Sequence, residues 1–324
     1  MILRRRSTRT AALLAALALL AGAAVLSVGV GAHTIAPAQV LRAVLWPGDS
    51  ADHLVVRDIR LPRAALAVAV GAALAVAGAL VQVLTRNPLA EPGILGVTAG
   101  AGFAVTLGAA AGVAGGAPLE LGVAVLGAAA AAALVGSVGH GSPLRLVLTG
   151  VALSSVLAGI SLGLRLLLPE VFDRYRFWAV GSLAGREQAE TAPALLVIGV
   201  GVGCALLLGR QLNAVSLGED TAAGLGVRVA PVRAAAFLLV TVLAGAATAL
   251  AGPILFVGLI VPHLVRPLAG ASVPWLTAFA AAVGPVLLLL ADVGSRLLLP
   301  TGELPVAIVT ALLGGPVLIW AVRR

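Results

Sequence analysis

The chain has 324 residues, of which 60% are hydrophobic and only 10% charged, with a formal net charge of +8 and a mean hydropathy of +1.12. Because a soluble domain carries about 25% charged residues, this composition excludes a water-soluble globular fold and predicts an all-α polytopic membrane protein. The positive charge does not indicate nucleic-acid binding, since most of the arginines lie at the ends of apolar stretches, as the positive-inside rule expects.

Two residue types are scarce or missing, and this narrows the possible functions. The chain has no lysine, so a nucleotide-binding Walker A loop, which needs one, is excluded. If a nucleotide drives the protein, another subunit must bind it. Cys204 is the only cysteine, which excludes disulfides and thiolate metal sites within the chain. Its position inside an apolar stretch predicts a buried, inert thiol.

The apolar stretches predict ten membrane spans, because a helix needs about 20 apolar residues to cross a bilayer. We place the spans at residues 11–32, 64–84, 94–113, 119–138, 144–168, 192–208, 231–250, 254–268, 275–299 and 304–322. Residues 1–324 then form a single transmembrane domain. The arginines at Arg4–Arg9 and at Arg323–Arg324 place residues 1–10 and the C terminus in the cytoplasm. Residues 33–63 accordingly lie outside the cell membrane.

A polar segment, residues 212–228, divides the chain into two halves of five spans each. An odd number of spans gives the halves opposite orientations, which is the arrangement of inverted-repeat transporters. In each half a glycine-rich helix leads into a proline-containing turn, near Gly78–Pro92 and again near Gly245–Pro262. This echo is weak, and we interpret it as an inverted repeat of two five-helix halves.

The polar segment itself predicts a short helix on the cytoplasmic side. Ser216 and Glu219 have the spacing of a capping box, and Gly224 and Gly226 offer a C-terminal stop. An ordinary loop helix and a rigid lever that transmits motion are both compatible with this pattern. The residues that would act in a lever are Ser216, Leu217, Gly218, Glu219, Asp220, Leu225 and Gly226.

The fifth span carries a stripe of small and polar residues. Gly150, Ser154, Ala158, Ser161 and Arg165 share one helical face, because they are spaced by about one or two helical turns. Small residues also allow close helix packing, so the stripe either packs against a neighbouring helix or lines a wet translocation path. In the second case Arg165 lies near the outer mouth, since a cation within a span rarely faces lipid.

Three arginines lie at outer ends of spans, where the positive-inside rule does not place them: Arg60, Arg63 and Arg296. They either extend their charged ends to the interface or present a group of outward-facing cations to an acidic partner. Asp292 precedes Arg296 by four residues, which suits an intrahelical ion pair. His263 has no further ligand at metal-binding spacing, so we expect no metal site.

Several motifs together resemble the FecCD family, the permease subunits of ABC importers for iron-siderophores, haem and cobalamin. The resemblance extends from Val56 to the last span. The matching stretches are Ile59–Arg63, Arg86–Val97, Leu217–Asp220 with Leu225–Val227, Ala251–Ile254, Val261–His263, Ala291–Asp292 and Glu303–Val306.

This resemblance implies a ten-helix subunit of a bacterial inner-membrane importer, paired with a second permease subunit around a central path. It implies two cytoplasmic ABC ATPase subunits, which bind ATP and Mg²⁺, and a periplasmic or lipid-anchored substrate-binding protein. The chain itself then has no catalytic site and binds no cofactor. The polar segment matches the family's coupling helix, the outer arginines match positions that pair with glutamates of the binding protein, and the fifth span matches the pore-lining helix. Pro143 and Leu144 depart from the small hydroxyl residues of some relatives at the gate.

Two other classes of protein are weighed against this expectation. An ion-coupled secondary transporter needs intramembrane carboxylates, and the sequence offers Asp292 and Glu303, both near outer ends of spans. An intramembrane enzyme needs a nucleophile with a base or a metal, and no such group is evident. The expected function is therefore ATP-driven import of an iron-siderophore, with haem or cobalamin as alternative cargo.

Overall fold

The computed structural model describes residues 6–31, 34–46, 48, 50–112, 117–139, 142–185, 188–299 and 302–322, and every regular element in these ranges is helical. The helices are α1 (Arg6–Gly29), α2 (Pro37–Leu45), α3 (Ala51–Leu54), α4 (Leu61–Thr85), α5 (Val97–Ala110), α6 (Ala117–Gly139), α7 (Pro143–Leu167), α8 (Pro169–Ala179), α9 (Gln188–Ser216), α10 (Glu219–Gly224), α11 (Val229–Ala251), α12 (Val257–Ala269), α13 (Val273–Leu297) and α14 (Val306–Val322). A π-helical segment, Val55–Arg60, joins α3 to α4. A 3₁₀ helix, Pro92–Leu95, precedes α5.

The predicted all-helical membrane fold is confirmed. Within the described residues, seven helices are long and apolar enough to cross a membrane, and α5, α12 and α14 are shorter apolar helices. Together they correspond to the ten predicted spans. The inverted repeat, the domain limits and the orientation of the termini stay predictions; Arg4, Arg5, Arg323 and Arg324 lie outside the described residues.

The third and eighth spans begin later than the sequence predicts. The residues assigned to the start of the third span form the 3₁₀ helix, which ends at Gly96 with a positive φ of 77°. The start of the eighth span is the non-helical segment 252–256, in which Gly252 has a φ of 72°. These two breaks shorten α5 and α12 and leave irregular backbone beside α7.

The centre of the protein is built on α4, which packs against α12 and α13 through glycines. A Cβ on Gly71 would lie 2.7 Å from the carbonyl oxygen of Gly284 on α13, and a Cβ on Gly78 would lie 1.9 Å from that of Gly258 on α12. In a membrane the hydrophobic effect does not drive helices together, and small residues let helix backbones approach closely enough to gain van der Waals contacts. The prediction of a buried cysteine is wrong, because Cys204 is exposed on the apolar surface of α9.

Candidate translocation site

The stripe predicted on the fifth span lies on α7, whose first turn contains Pro143, a residue that suits a helix start. Its members fulfil two different roles. A Cβ on Gly150 would lie 1.9 Å from the carbonyl oxygen of Ile94, so Gly150 allows α7 to touch the 3₁₀ helix. Ser154, Ala158, Ser161 and Arg165 instead line a cavity. Packing and cavity lining, which the sequence left as alternatives, thus both occur on one stripe.

This cavity, named the α7 cavity below, has a volume of about 450 Å³. Its walls come from the 3₁₀ helix, α5, α7, α8 and the break before α12. Besides the four stripe residues, the lining consists of Glu91, Gly93, Ile94, Thr98, Ala99, Gly102, Phe103, Val151, Ser155, Tyr175, Trp178, Pro253 and Leu255. The volume lies in the range of small-molecule sites, about 300–1,000 Å³.

Arg165 is held over an aromatic ring. Its guanidinium carbon lies 3.9 Å from the centroid of the Tyr175 ring, and its Nε donates a 2.9 Å hydrogen bond to the carbonyl oxygen of Ser161. Tyr175 in turn packs against Trp178, with 5.7 Å between ring centroids. Gly102 makes room for both rings, since a Cβ there would lie 3.3 Å from Trp178 and 3.4 Å from the Tyr175 hydroxyl. The aromatic pair therefore fixes the cation at the cavity wall.

Two buried polar atoms of cavity-lining residues are unpartnered. Ser154 Oγ and Trp178 Nε1 have no hydrogen-bond partner among the residues that the structure describes. Most buried polar groups in proteins are paired with protein or ordered water. Both atoms are themselves buried, so each is an exception to that rule among the described residues.

The cavity lining also includes a carboxylate, Glu91, that the sequence analysis did not single out. Glu91 lies in the connection between α4 and α5, outside the spanning helices, and its Oε1 accepts a 2.6 Å hydrogen bond from the backbone N–H of Phe256. Burial raises the pKa of the Glu91 carboxyl, and the hydrogen bond from Phe256 opposes that rise. Phe256 has a φ of 70°, which is uncommon outside glycine. Glu91 thus links the segment before the 3₁₀ helix to the non-helical segment before α12.

The outer arginines form part of a second polar group, the outer cluster of Arg60, Arg63, Asp292, Arg296 and Glu303. Arg63 pairs with Asp292 at 2.9 Å and with Glu303 at 2.7 Å. Arg296 pairs with the other oxygen of Asp292 at 2.7 Å, as its spacing predicted. The Asp292 side chain has 0% exposure, so one buried carboxylate serves two cations.

The outer cluster also holds the C-terminal end of α1. Arg60 Nη1 donates to the carbonyls of Val28 and Gly29. Arg296 donates to the carbonyls of Ser27 and Val30 and to the Ser27 hydroxyl. The last carbonyls of a helix have no intrahelical partner and favour cations. These arginines therefore bind the carbonyl oxygens at the end of α1, and Arg296 thereby connects α1 to α13.

The prediction that these three arginines face outward with exposed charges is wrong for the chain by itself. Arg60, Arg63 and Arg296 are only 7–9% exposed, because desolvated acceptors within the chain surround them. Arg296 makes five hydrogen bonds from its three nitrogens: two to Asp292, two to Ser27 of α1 and one to Val30 just after α1. A guanidinium offers five donors in all. Binding-protein docking by these residues stays a prediction.

The polar segment forms a short helix, as expected, but its start differs from the capping box. Ser216 is the last residue of α9, and its hydroxyl donates to the carbonyl of Asn213. Gly218, with a φ of 122°, precedes the first residue of α10 and supplies no side-chain cap. The last residue of α10 is Gly224, and Gly226, with a φ of 79°, follows the helix end. The N–H of Val227 donates to the carbonyl of Ala222 and the N–H of Gly226 to that of Ala223, which is the pattern of a Schellman motif. Both glycines therefore lie at the C-terminal stop, as predicted.

Of the seven residues predicted to act in this segment, six are exposed and Gly218 is partly buried. Leu217 and Leu225 are 63% and 64% exposed in a segment outside the apolar spans. Glu219 forms an ion pair with Arg233 on α11. The side-chain oxygen of Asn213 accepts a 2.9 Å hydrogen bond from the backbone N–H of Val273, at the start of α13. The segment is thus attached to two spanning helices and exposes two leucines.

Part of the cavity wall was missed by sequence reasoning, notably Tyr175, Trp178 and Glu91. Tyr175 and Trp178 are three residues apart in α8, a spacing that brings side chains together on a helix, so the aromatic pair was recognisable in principle. Glu91 gave no such signal, because its burial depends on contact with α12. No group of three or more His, Cys, Asp or Glu residues lies at metal-binding distance in the described ranges.

Comparison with known proteins adds evidence from the whole chain. Residues 17–324 match the model of the FecCD transport family. The chain belongs to this family. It is 47% identical to the ferric enterobactin transport system permease protein of Escherichia coli, over 98% of this chain and 96% of that protein. It is 38% identical to the hemin transport system permease protein of Yersinia pestis, over 86% of this chain and 87% of that protein.

A solved structure supports the fold directly. It is described as an inward-facing conformation of a metal-chelate type ABC transporter, and this FecCD chain superimposes on it with a TM-score of 0.87 and 32% sequence identity. The match covers 97% of this chain and 99% of the solved chain. A multi-pass permease fold of the FecCD family is therefore established for nearly the whole chain, including residues 17–324.

Proposed function

We propose that the protein is the permease subunit of an ATP-driven importer of an iron(III)-siderophore or a related metal chelate. The observation that carries this proposal is the 47% identity to the ferric enterobactin permease over 98% of the chain. The α7 cavity supports it, because a largely apolar cavity that also contains charged and polar side chains offers a path for a solute. Haem is the alternative cargo, supported by the relative from Yersinia pestis.

The polar segment is proposed to couple the permease to a separate ATPase. Its exposed leucines, Leu217 and Leu225, offer apolar contact area outside the apolar spans, and exposed apolar surface marks interaction sites. The hydrogen bond from Val273 to Asn213 and the ion pair of Glu219 with Arg233 connect this surface to α13 and α11. A change in ATPase contact would therefore bias the positions of both helices, provided that the ATPase binds one conformation more tightly.

The remaining partners are a second permease subunit and a substrate-binding protein at the outer face. Docking by Arg60, Arg63 and Arg296 requires glutamates of the binding protein to exchange with acceptors already bound inside the chain. The Arg63–Glu303 pair is the natural point of exchange, because the Glu303 side chain is 43% exposed. Both termini are proposed to lie in the cytoplasm, and the chain to bind no cofactor of its own.

Reconstitution tests the proposal. The permease, its ATPase and its binding protein are placed in proteoliposomes, and uptake of ferric siderophores, haem and cobalamin is measured with and without ATP. Uptake of one cargo that requires all components and ATP is the expected result. Uptake that ignores ATP and follows an ion gradient would instead support a secondary transporter, for which Asp292, Glu303 and the partly buried Glu91 are the candidate carboxylates.

A charge reversal tests the coupling segment separately. Glu219→Arg places a cation beside Arg233 and should reduce co-purification of the ATPase while membrane insertion persists. The control is Glu170→Arg, the same change at an exposed position of α8. Equal ATPase recovery with both variants would remove the support for coupling through α10.

A further inference from the structure

The segment that connects α1 to α3 takes no part in the proposed path or in the coupling surface. We propose that it forms a phospholipid site, in which a groove beside the end of α1 holds an acyl chain and α2 lies in the lipid–water interface with Arg42 at the lipid phosphate. This inference goes beyond the proposed import function, and it rests only on the membrane fold.

The groove, named the α1 groove below, has a volume of about 530 Å³. Its described lining residues all belong to α1 or to the segment that follows it: Gly22, Val25, Leu26, Gly29, Val30, Thr34, Ile35 and Ala36. A helix rises 1.5 Å per residue, so the groove extends about 10 Å from the last residue of α1 toward the middle of that helix. Because α1 is a largely exposed helix long enough to cross the membrane, this part of the groove lies at the depth of the hydrocarbon layer.

Residues 34–36 turn back against α1 and close one side of the α1 groove. The N–H of Ile35 donates a 2.9 Å hydrogen bond to the carbonyl oxygen of Gly29, and a Cβ on Gly29 would lie 3.3 Å from the carbonyl oxygen of Ile35. The segment is therefore at the height of the last turn of α1. Thr34, the residue with a polar side chain among the described lining, lies at this end, whereas the deep end is apolar. This gradient of polarity matches that of a phospholipid.

The helix that follows, α2, has an apolar face that the chain does not cover. Val40 and Ala43 are buried in the protein core, whereas Leu41, Val44 and Leu45 are exposed. Residues three and four apart share one face of a helix, so the three exposed side chains form one aliphatic surface. Since α2 begins directly after the segment at the height of the last turn of α1, this surface lies at the edge of the membrane.

The polar side of α2 suits a phospholipid headgroup. Gln39 and Arg42 are both exposed there, and Arg42 follows Leu41 directly, so its side chain borders the aliphatic surface. Helices that lie in the membrane interface carry basic residues in such positions, and arginine binds phosphate in a bidentate manner. Trp46, which ends α2, is also exposed, and tryptophan is enriched at membrane interfaces.

The continuity of these surfaces identifies the occupant. Val25 and Leu26 are exposed on α1 and line the groove, so the surface of a membrane-spanning helix continues through the groove to the aliphatic face of α2. A water-soluble partner protein could reach α2, but the deep end of the groove lies within the hydrocarbon layer. An acyl chain fills that depth, and its headgroup then lies beside α2.

Binding of phosphatidylglycerol to the delipidated complete transporter in detergent, followed by native mass spectrometry, tests the groove. Gly22→Phe places a ring in it, and because a Cβ on Gly22 meets no atom within 4 Å, the fold should persist. This variant should bind the lipid about tenfold more weakly, since the acyl chain loses its van der Waals contacts. Gly199→Phe on α9 is the matched control, because a Cβ there also meets no atom within 4 Å, and it should bind like the parent.

The same titration tests the headgroup contact. Arg42→Gln should weaken binding of phosphatidylglycerol about fivefold, which is the contribution of one arginine near an anionic membrane surface. Arg176→Gln, which removes an exposed cation of α8 that pairs with Asp173, should bind the lipid like the parent. Thermal melting checks that each variant is folded.

Spin labels on α2 test its position in the interface. Leu41→Cys and Gln39→Cys, each in a Cys204→Ala background, are labelled with a nitroxide in the complete transporter in nanodiscs of phosphatidylglycerol and phosphatidylcholine. Collisions with oxygen, which dissolves in lipid, should dominate at position 41, and collisions with a water-soluble nickel chelate should dominate at position 39.

Three results would overturn the phospholipid site, and none of them bears on ATP-driven import. The first is unchanged lipid binding by both Gly22→Phe and Arg42→Gln. The second is equal access of the nickel chelate to positions 39 and 41. The third is access of the chelate to position 41 that ends only when the substrate-binding protein is added, which would assign the aliphatic face of α2 to that protein. The proposed function fails separately, if the transporter shows no ATP-dependent uptake of any chelate.

Discussion

The outer cluster and the α7 cavity both contain arginine and carboxylate side chains, yet their polar atoms are bonded differently. In the outer cluster, Asp292 neutralises two arginines, and Arg296 uses all five of its donors within the chain. In the cavity, Ser154 Oγ and Trp178 Nε1 lack partners among the described residues.

This difference teaches how to distinguish structural from functional charge in a membrane protein. A cation within a membrane span suggests a functional site, and from the sequence alone Arg165 and the outer arginines were equally good candidates. The bonding of each group separates them. In the outer cluster the polar groups are paired within the chain and hold α1 against α13, whereas two buried polar atoms beside the α7 cavity have no partner among the described residues.

The largest effect is expected from removing the shared carboxylate of the outer cluster. Asp292→Ala leaves Arg63 and Arg296 buried without their common counter-ion, and breaking a buried ion pair costs about 3–5 kcal/mol. The free energy of unfolding, measured in detergent, should fall by that amount. Glu303→Gln is the control: because Glu303 is 43% exposed, its loss should cost about 1 kcal/mol or less. Equal losses of unfolding free energy in the two variants would contradict the role of Asp292 as the shared counter-ion of Arg63 and Arg296.

Two serines allow the comparison to be made with one chemical change. The Ser27 hydroxyl accepts a 2.8 Å hydrogen bond from Arg296, so Ser27→Ala should lower the free energy of unfolding by about 1.5–3 kcal/mol. Ser154→Ala removes an unpartnered hydroxyl and should be neutral or slightly stabilising. Chemical unfolding of both variants measures the difference. A larger loss at Ser154 than at Ser27 would reverse the interpretation of the two regions.

The smallest of the three effects concerns the packing end of the α7 stripe. Gly150→Ala forces a Cβ against the Ile94 carbonyl, and overpacking costs about 1–3 kcal/mol. Gly159→Ala on the same helix meets no atom within 4 Å and should be neutral or stabilising, since alanine favours helix by up to about 1 kcal/mol. Thermal melting distinguishes the two substitutions. Similar melting temperatures would show that α7 moves away from the 3₁₀ helix without penalty.

The sequence predicted the ten spans and the position of the polar segment because both depend on local composition and periodicity. The stripe on α7 was predictable for the same reason. What α7 faces was not, because the contacts of Gly150 and Ser154 depend on the 3₁₀ helix and on α8. The capping box failed because α9 continues through Ser216, which uses the serine hydroxyl within that helix.

The outer arginines show a different limit of sequence reasoning. Their spacing predicted the Asp292–Arg296 pair, which is local. Their burial depends on the end of α1, more than 260 residues away from Arg296 along the chain. No periodic pattern in the sequence predicts such a distant contact. The arginines could therefore be recognised as unusual, but their hydrogen bonds to the end of α1 could not be predicted.

Cysteine accessibility most directly tests the central claim that the α7 cavity is the wet path while other polar groups hold the fold. Ala158→Cys, in a Cys204→Ala background, is exposed to a charged thiol reagent in proteoliposomes that contain the complete transporter. Leu162→Cys is the matched control on α7, because Leu162 is 54% exposed and does not line the cavity. The expected result is rapid modification at position 158 only, slowed by the iron(III)-siderophore that the transporter imports. Equal modification at both positions, with no protection by the chelate, would contradict the account.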